Sequence, residues 1–366
     1  MATLPISPMC CFIAPPDLLD AVLESGNEDE QAAARRTRQA AETARAQRVS
    51  VTGALRQLAL TIADVAPAPG RVRTVYDAGN RGYYALPGRR VRGEGDPAVP
   101  DEAVNDAYDG SGLTYDFYRE VFGRDSIDGR GLEIVSSVHY ERDHDNAAWT
   151  GFQMIYGDGS GRVFRKGALT KAIDVIGHEL THGVTQFTAQ LVYSKQSGAL
   201  NESFSDVFGS LVKQYSRGQS AEEADWLIGE GILGTALQGV ALRSMKAPGT
   251  AWTTAAGGGD RQPAHMRDYV DLPDDGDPAN DNGGVHINSG IPNHAFYLAA
   301  TAMGGNAWER AGRIWYVTLT ERLRARSDFR EAAEATVAVA GELFGADGTE
   351  HKCVRDAWRQ VGVLDG

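Results

Sequence analysis

The chain has 366 residues, 42% of them hydrophobic and 23% charged, which is typical of a folded globular protein and excludes general disorder. The formal net charge of -13 disfavours nucleic acid as a partner. Three cysteines, two of them adjacent, offer neither a disulfide framework nor a paired-cysteine metal knuckle. No apolar run reaches the roughly 18 to 20 residues that a membrane span requires, so no membrane partner is expected.

Residues 1–65 form a compositional block of their own. A short apolar helix is predicted at about 17–23, directly after Pro15 and Pro16, and a helix rich in Ala, Gln and Arg at about 28–63. Prolines and glycine near residue 70 then mark a linker. Because the block is too small for a core of its own, we expect it to dock on the rest of the chain and cover its functional cleft.

The first 13 residues have no basic start and no sustained apolar stretch, so they do not read as a secretory signal peptide. The precursor is therefore expected in the cytoplasm. Export by a non-classical route stays open as an alternative, and a monomer is the expected state.

The pattern changes twice after this block. Strands and turns predominate at 71–170, including a strand predicted at 132–140 and a hairpin formed by 153–156 and 162–164. Residues 171–366 are mainly helical. The chain is therefore predicted to be α+β, with a β-rich N-terminal domain and a helical C-terminal domain after the short helical block.

The sharpest chemical signal is a His-Glu-Leu-Thr-His run that begins at residue 178. Positions i and i+4 share one face of a helix, so His178 and His182 can bind one metal ion with Glu179 beside it as a base. A catalytic zinc site needs a third protein ligand, and Glu202 is available. Asp206 lies one helical turn further on the same face and can accept a hydrogen bond from a histidine ligand. The structural alternative is a pair of hydrogen-bonded core histidines and a solvated acidic helix face.

Long motifs around these residues resemble the thermolysin family of zinc metallopeptidases, and the resemblance extends from Arg71 to Gly366. The matching runs are Asp174 to Thr185, Gly198 to Asp206 and Asp281 to Gly290. The N-terminal block, with its Ile-Ala-Pro-Pro-Asp-Leu-Leu run from residue 13, resembles the short propeptide of the protealysin-like branch of that family.

The resemblance implies a role for each side chain in the predicted site. Zinc would be held by His178, His182 and Glu202, and Glu179 would be the general base. The catalytic pair that donates hydrogen bonds to the substrate oxyanion would be Tyr193 and His286, with Asp281 orienting His286 and Asp206 orienting His178. The substrate-binding positions would be Asn146, Ala147, Arg243, Val175, Ile228 and Leu242.

The function that follows is a zinc-dependent neutral endopeptidase made as a self-processing zymogen, which cleaves on the amino side of bulky hydrophobic residues. Its partners are peptide or protein substrates and its own propeptide, which would be cut between about 49 and 70. The alternative is a catalytically silent zinc-binding regulatory protein. Cys10 and Cys11 either donate a thiolate to zinc as a switch or serve as ordinary apolar packing.

Calcium is the point at which the sequence departs from the family pattern. The family holds a double calcium site, to which Asp174, Asp225 and Glu230 correspond, but Lys213 and Leu227 stand where the pattern has acidic residues. Calcium prefers six to eight oxygen ligands, so the double site is predicted to be absent. The Lys213 ammonium would instead neutralise Asp174 and Glu230; the alternative is a lysine in solvent beside a single calcium.

Overall fold

The computed structural model describes residues 11–62 and 70–365, with only the main chain described from 46 to 62. In these ranges the α-helices are α1 Pro16–Ser25, α2 Glu28–Ile62, α3 Glu102–Phe122, α4 Ala168–Lys171, α5 Ile173–Gln186, α6 Lys195–Arg217, α7 Asp281–Asn288, α8 Gly290–Met303, α9 Ala311–Val317, α10 Phe329–Phe344 and α11 Thr349–Gln360. The strands are β1 Cys11–Phe12, β2 Arg73–Asp77, β3 Arg89–Gly93, β4 Ile134–Val138, β5 Ala147–Trp149, β6 Met154–Tyr156, β7 Leu227–Ile228, β8 Gln238–Gly239, β9 Arg243–Ser244 and β10 Trp252–Thr253. The predicted α+β fold is confirmed.

Six strands form one mixed sheet in the order β1-β5-β6-β4-β2-β3. Strands β2, β4 and β6 are parallel, whereas β3, β5 and β1 each run antiparallel to their neighbour. Helix α3 contacts β2 and β4 and also packs on α5. The edge strand β1 comes from the N-terminal block, so this block completes the sheet beside β5.

Helices α5 and α6 form the centre of the helical half and approach each other through two glycines. A Cβ atom on Gly177 would lie 3.1 Å from the Cα of Gly209, and one on Gly209 would lie 2.4 Å from the main-chain oxygen of Asp174. The second distance is shorter than real Cβ contacts, so the two backbones touch where only glycine fits. This contact places His178 of α5 against the face of α6 that carries Glu202.

The N-terminal block has no separate core and packs on the rest of the chain, as expected. Helix α1 begins with Pro16 in its first turn, where a missing N–H costs nothing. Its Leu18, Leu19 and Val22 are buried in the main apolar core. Of the predicted linker, Pro67 and Pro69 lie outside the described residues.

Two sequence-based predictions of strands need correction. Strand β4 is shorter than 132–140 and ends at Val138, because His139 takes a left-handed conformation with φ of 55°. The hairpin prediction is wrong: residues 162–164 form no strand and contribute a single bridge from Phe164 to Leu233. The reason is that β6 is already paired on both sides, with β5 and β4. No helix among the described residues has the length and apolar character to cross a membrane.

Candidate functional site

Three buried side chains converge between α5 and α6. The ligand atoms of His178, His182 and Glu202 all lie within 4.8 Å of one another. The two Nε2 atoms are 3.0 Å apart, and each is 3.4 Å from an oxygen of Glu202. The predicted ligand set is therefore assembled as one group.

The outer nitrogen of each histidine is fixed by a hydrogen bond. His178 Nδ1 lies 2.8 Å from Asp206 Oδ1, and His182 Nδ1 lies 2.9 Å from Asn201 Oδ1. If both Nδ1 atoms donate, the facing Nε2 atoms carry lone pairs in the neutral rings. Burial lowers the pKa of His182 to about 4, which favours the neutral, ligating form.

This donor set fits zinc. Two imidazole nitrogens and one carboxylate are the ligands of a catalytic zinc site that keeps one position open. Glu202 Oε2 is buried and has no hydrogen-bond partner among the described residues, so a cation would satisfy it. Burial acts to raise the pKa of Glu202, but nearby positive charge, that of His286 first, lowers it below the usual value, which favours the ionised carboxylate.

Glu179 lies beside this group on α5, but faces strand β5. Its Oε2 accepts a hydrogen bond of 2.8 Å from the main-chain N–H of Trp149, and its Oε1 has no partner in the described part of the chain. Burial raises the pKa of Glu179 well above its usual value. A carboxyl group with a raised pKa and one open oxygen suits a general base.

A second group of polar side chains closes the other side of the site. The Tyr193 hydroxyl donates to Glu202 Oε1 and lies 3.1 Å from His286 Nε2. Asp281 accepts from both the main-chain N–H of His286, at 2.7 Å, and Nδ1, at 2.6 Å. Burial opposes the charge on His286, but Asp281 and Glu202 raise its pKa to about 9, so both ring nitrogens can donate.

The backbone around Asp281 is shaped for this contact. Asp281, Asn282, Gly283 and Gly284 have φ values between 49° and 83°. Such left-handed conformations are unstrained only for glycine and are tolerated by Asp and Asn. The turn directs the Asp281 carboxylate back onto His286, five residues further along the chain.

Arg243 connects the ligand support to the cleft. Its Nε and Nη2 each donate a hydrogen bond of 2.8 Å to Asp206, which also accepts one from Asn293. Burial opposes ionisation of Asp206, but Arg243 and His178 hold the pKa of this carboxyl well below its usual range. The charge of Asp206 is therefore fully compensated where it orients His178.

The other predicted substrate-binding positions are in contact with, or close to, the N-terminal block. Asn146 and Ala147 bind the main chain of residues 13 and 14, and Arg243 Nη1 binds the carbonyl of Ile13. The predicted pocket residues are Val175, Ile228 and Leu242. They are fully buried, as Ile13 is, and all four side chains belong to the same apolar core. The expected docking of the block over the cleft is thus present in the structure.

Cys11 packs with Tyr193 and Val285 in a small buried cluster. It does not belong to the group of described residues whose ligand atoms lie within 4.8 Å of one another. This arrangement favours the apolar-packing alternative for Cys11, whereas Cys10 lies outside the described residues.

Helix α1 brings one further acidic group to the site, Asp17. Its carboxyl is buried and Oδ1 has no hydrogen-bond partner among the residues described. Burial, followed by the charge of Asp281, raises the pKa of Asp17 to about 7, while His286 and Arg261 act in the opposite direction and Asp260 adds to the increase. The docked block therefore carries a carboxyl that favours its neutral form.

Four residues of the site, Trp149, Asn201, Asn293 and Asp17, make contacts that were not predicted from the sequence. Trp149 acts through a main-chain N–H, which has no sequence signature. Asn201 and Asn293 are helical asparagines that belong to no distinctive motif. Asn201 lies directly before Glu202, and this position could have indicated a contact with the ligand group. Asp17 follows the two prolines, where it reads as a favourable residue in the first turn of a helix.

The cluster predicted to replace calcium is organised around Lys213. Its Nζ lies 3.0 Å from Asp174 and 2.8 Å from Asp225, and donates to the main-chain oxygen of Leu227 at 2.6 Å. Burial alone would lower the pKa of Lys213, yet the two carboxylates raise it. One detail differs from the prediction, because Glu230 lies 3.8 Å from Arg217 and its expected contact with Lys213 is not among those observed.

Comparisons with known proteins identify the family. The thermolysin metallopeptidase catalytic domain matches residues 67–186, and the thermolysin metallopeptidase alpha-helical domain matches residues 189–363. An extracellular metalloprotease of Pectobacterium carotovorum subsp. carotovorum is 44% identical over 354 residues, which cover 96% of each chain. Protease PrtS of a Photorhabdus species (strain Az29) is 49% identical over 292 residues, 80% of this chain and 76% of its own.

Among solved structures, the precursor of protealysin, a metalloproteinase from Serratia proteamaculans, superposes with a TM-score of 0.81 at 45% identity. The match covers 97% of this chain and 100% of the protealysin chain.

The fold and the convergent ligand set define a metallopeptidase. The chain belongs to the thermolysin family, and it is a zinc endopeptidase synthesised as a zymogen. The sequence-based predictions of family, activity and zymogen are confirmed. The silent zinc-binding alternative is not supported, since the relatives are proteases and Glu179 lies beside the ligand group.

Proposed function

We propose that the chain hydrolyses peptide bonds in the cleft between α5 and β5. His178, His182 and Glu202 would hold zinc, and Glu179 would be the general base. The observation that carries this assignment is the convergence of two histidine nitrogens and one carboxylate at a common point, with the Glu179 carboxyl group beside them. Zinc, when bound, supplies a Lewis acid that lowers the pKa of a bound water towards about 7.

The remaining steps belong to side chains of this protein. Glu179 takes the proton of the attacking water through its open oxygen and passes it to the leaving amine. Tyr193 and His286 donate hydrogen bonds to the carbonyl oxygen on which negative charge develops. Asp281 keeps the donating nitrogen of His286 aimed at that oxygen. Because His286 is buried and held by Asp281, this donor needs little reorganisation as the charge forms.

The substrate would bind as an extra strand beside β5. The main chain of the substrate would be bound by Asn146, Ala147 and Arg243. A bulky apolar residue after the cut bond would be favoured by the apolar side chains of Val175, Ile228 and Leu242. We assign 1–65 to the propeptide and linker, 71–170 to the β-rich domain and 171–366 to the helical domain. Self-processing between about 49 and 70 would release the block.

We also propose that the double calcium site of the family is absent. The buried Lys213 ammonium lies where it neutralises Asp174 and Asp225, and a cation with six to eight oxygen ligands does not tolerate an ammonium in its shell. The protein would act as a monomer. The compartment is proposed to be extracellular for the active form, in line with the printed name of the Pectobacterium relative, and cytoplasmic for the precursor.

The test of this function is Glu179→Gln. The variant should bind zinc normally and lose about 10²- to 10⁴-fold in casein hydrolysis, the usual contribution of a general base. It should also remain a 366-residue precursor. Glu334→Gln, an exposed change on α10, is the control and should behave as wild type. Normal casein hydrolysis by Glu179→Gln would contradict the assigned base.

A further inference from the structure

The N-terminal segment lies in the cleft as an extended strand with a defined register. In β1, Cys11 pairs with Trp149 and Phe12 with Ala148, antiparallel to β5. The pairing continues beyond β1, because the N–H of Ile13 donates to the oxygen of Ala147 at 3.1 Å. The direction and register of the segment are therefore fixed by main-chain hydrogen bonds.

The next contact in the same direction uses the side chain of the residue directly before β5. The N–H of Ala14 donates to Asn146 Oδ1 at 2.9 Å. The segment thus contacts both Asn146 and Ala147, which the proposed function assigns to substrate binding.

Two carbonyl groups of the segment are held by charged side chains. The oxygen of Phe12 lies 3.0 Å from His286 Nε2, and the oxygen of Ile13 accepts a hydrogen bond of 3.1 Å from Arg243 Nη1. The other nitrogen of His286 is bound to Asp281, so Nε2 is the atom left to face a carbonyl. The carbonyl that His286 contacts is that of the Phe12–Ile13 bond.

The Ile13 side chain fills an apolar space beside the same bond. It is fully buried, and its carbonyl is bound to Arg243 of β9. Strand β9 pairs with Ile228, and Leu242 directly precedes Arg243. Ile13 thus lies in the neighbourhood that favours a bulky apolar residue immediately after the cut bond.

From these contacts we infer that the chain binds its own Phe12–Ile13 peptide bond in the position of the bond to be hydrolysed. Phe12 is on the acyl side and Ile13 on the amine side, and the sequence around them is a substrate sequence of the processed enzyme. This inference rests on the proposed function and deepens it. It names the peptide sequence that the cleft accepts, which occlusion of the cleft alone would not do.

The chemistry is a simple hydrolysis. The oxygen of water bonds to the carbonyl carbon of Phe12, the bond from that carbon to the nitrogen of Ile13 breaks, and Glu179 carries a proton from the water to that nitrogen. The products are a chain ending in the Phe12 carboxyl group, which keeps the second proton of the water, and a chain beginning with the Ile13 amine; at neutral pH that second proton passes to the amine and leaves a carboxylate and an ammonium. In the precursor, the amine side is anchored by Leu18 and Leu19 of α1, which are buried in the core, so separation of the ends is slow.

The direct test uses a synthetic peptide with the sequence of residues 9–17 in which both cysteines are replaced by serine. Full-length protein is first allowed to mature in the presence of zinc, and the peptide is then added. Mass spectrometry should show one cut, between Phe12 and Ile13. A matched peptide with Ile13→Asp should be cut about 10- to 100-fold more slowly, from the usual value of burying such a side chain.

Hydrolysis of casein, measured in parallel, distinguishes a failure of the register inference from a failure of the proposed function. If casein is hydrolysed while the peptide stays intact or is cut at another bond, the register inference is wrong and the proposed function stands. If neither casein nor the peptide is hydrolysed, both are overturned.

A second measurement needs no catalysis. Hydrogen exchange is followed in full-length Glu179→Gln protein with and without Ile13→Asp. The second change should speed exchange of the amides in residues 11–14 about 10- to 100-fold, whereas Glu24→Gln, an exposed change on α1, should leave it unaltered. Unchanged protection of residues 11–14 in the Ile13→Asp protein would contradict the inference that the Ile13 side chain holds the segment in the cleft.

Discussion

Two clusters that contain acidic groups lie where α5 packs on α6, and their negative charge is neutralised in opposite ways. In one, Glu202 and two histidines direct lone pairs at a common point and leave one carboxylate oxygen without a partner among the described residues. In the other, an ammonium group from Lys213 already lies between Asp174 and Asp225. The comparison teaches that the source of the positive charge, and not the number of acids, decides whether such a cluster calls for a metal.

The largest effect is expected when the internal cation is removed. Lys213→Ala should lower the free energy of unfolding by about 3 to 5 kcal/mol, because the Asp174 carboxylate would stay buried without its lysine counter-charge. Urea unfolding of the Glu179→Gln protein, which cannot digest itself, measures this. Lys352→Ala, an exposed change on α11, is the control.

Calcium sharpens the same test. A calcium-selective chelator should leave the unfolding of Lys213-containing protein unchanged. Lys213→Asp should make stability rise with added calcium, since it returns an oxygen ligand to the cluster. A calcium-dependent stability in the unaltered protein would show that the two clusters are not opposites.

A smaller effect is expected from weakening the support of the metal cluster. Asp206→Asn keeps the shape of the side chain but removes the charge that faces both His178 and Arg243. Zinc affinity should fall about 10- to 100-fold, as is usual for partners of histidine ligands. Competition with a zinc-binding dye gives the affinity, with the exposed Asp347→Asn as control. Unchanged affinity would mean that His178 needs no oriented partner.

A third acid, Asp17, has neither a metal nor an ammonium and gives the smallest effect. Its docked pKa of about 7 exceeds the value of an exposed Asp, so docking of the block is strongest below about pH 4 and weakens as the pH rises to about 7. Between pH 6 and pH 8 docking should weaken by about tenfold. Hydrogen exchange of residues 11–14 in Glu179→Gln protein measures it.

Asp17→Asn should remove this pH dependence by keeping the group neutral. The groups that face Asp17, namely Asp281, His286, Arg261 and Asp260, are unchanged in that variant, so any dependence that persists belongs to them. Glu24→Gln, elsewhere on α1, should keep the dependence of the wild type. An identical pH profile for Asp17→Asn and wild type would exclude Asp17 as its origin.

The parts of the site that follow from sequence are those fixed by helical spacing. His178, Glu179 and His182 share a face because of their period, and Asp206 follows Glu202 by one turn. Contacts made by main-chain atoms carry no such signal, so the Trp149 N–H on Glu179 was not predicted. The catalytic roles of Tyr193 and His286 were predicted from the family resemblance and not from residue spacing.

The strands show where the local sequence pattern does not predict the structure. Residues 162–164 alternate as a strand should, but the sheet offers them no free edge beside β6. Strand β1 has only two residues and forms because β5 offers it a free edge. The sequence around β1 does not show this, because β5 lies far along the chain. The prediction that Lys213 pairs with Glu230 failed for a similar reason: Asp225 and Glu230 both lie in the segment after α6, and the path of that segment, which the sequence does not give, brings Asp225 to Lys213.

The position of Arg243 has a thermodynamic consequence. One guanidinium binds the carboxylate that orients a zinc ligand and, through Nη1, the carbonyl of whatever chain lies in the cleft. Binding at one end therefore alters the free energy of binding at the other, and linkage requires the two influences to be equal. By whatever factor the docked segment changes the affinity for the metal, the metal changes the affinity for the docked segment by the same factor.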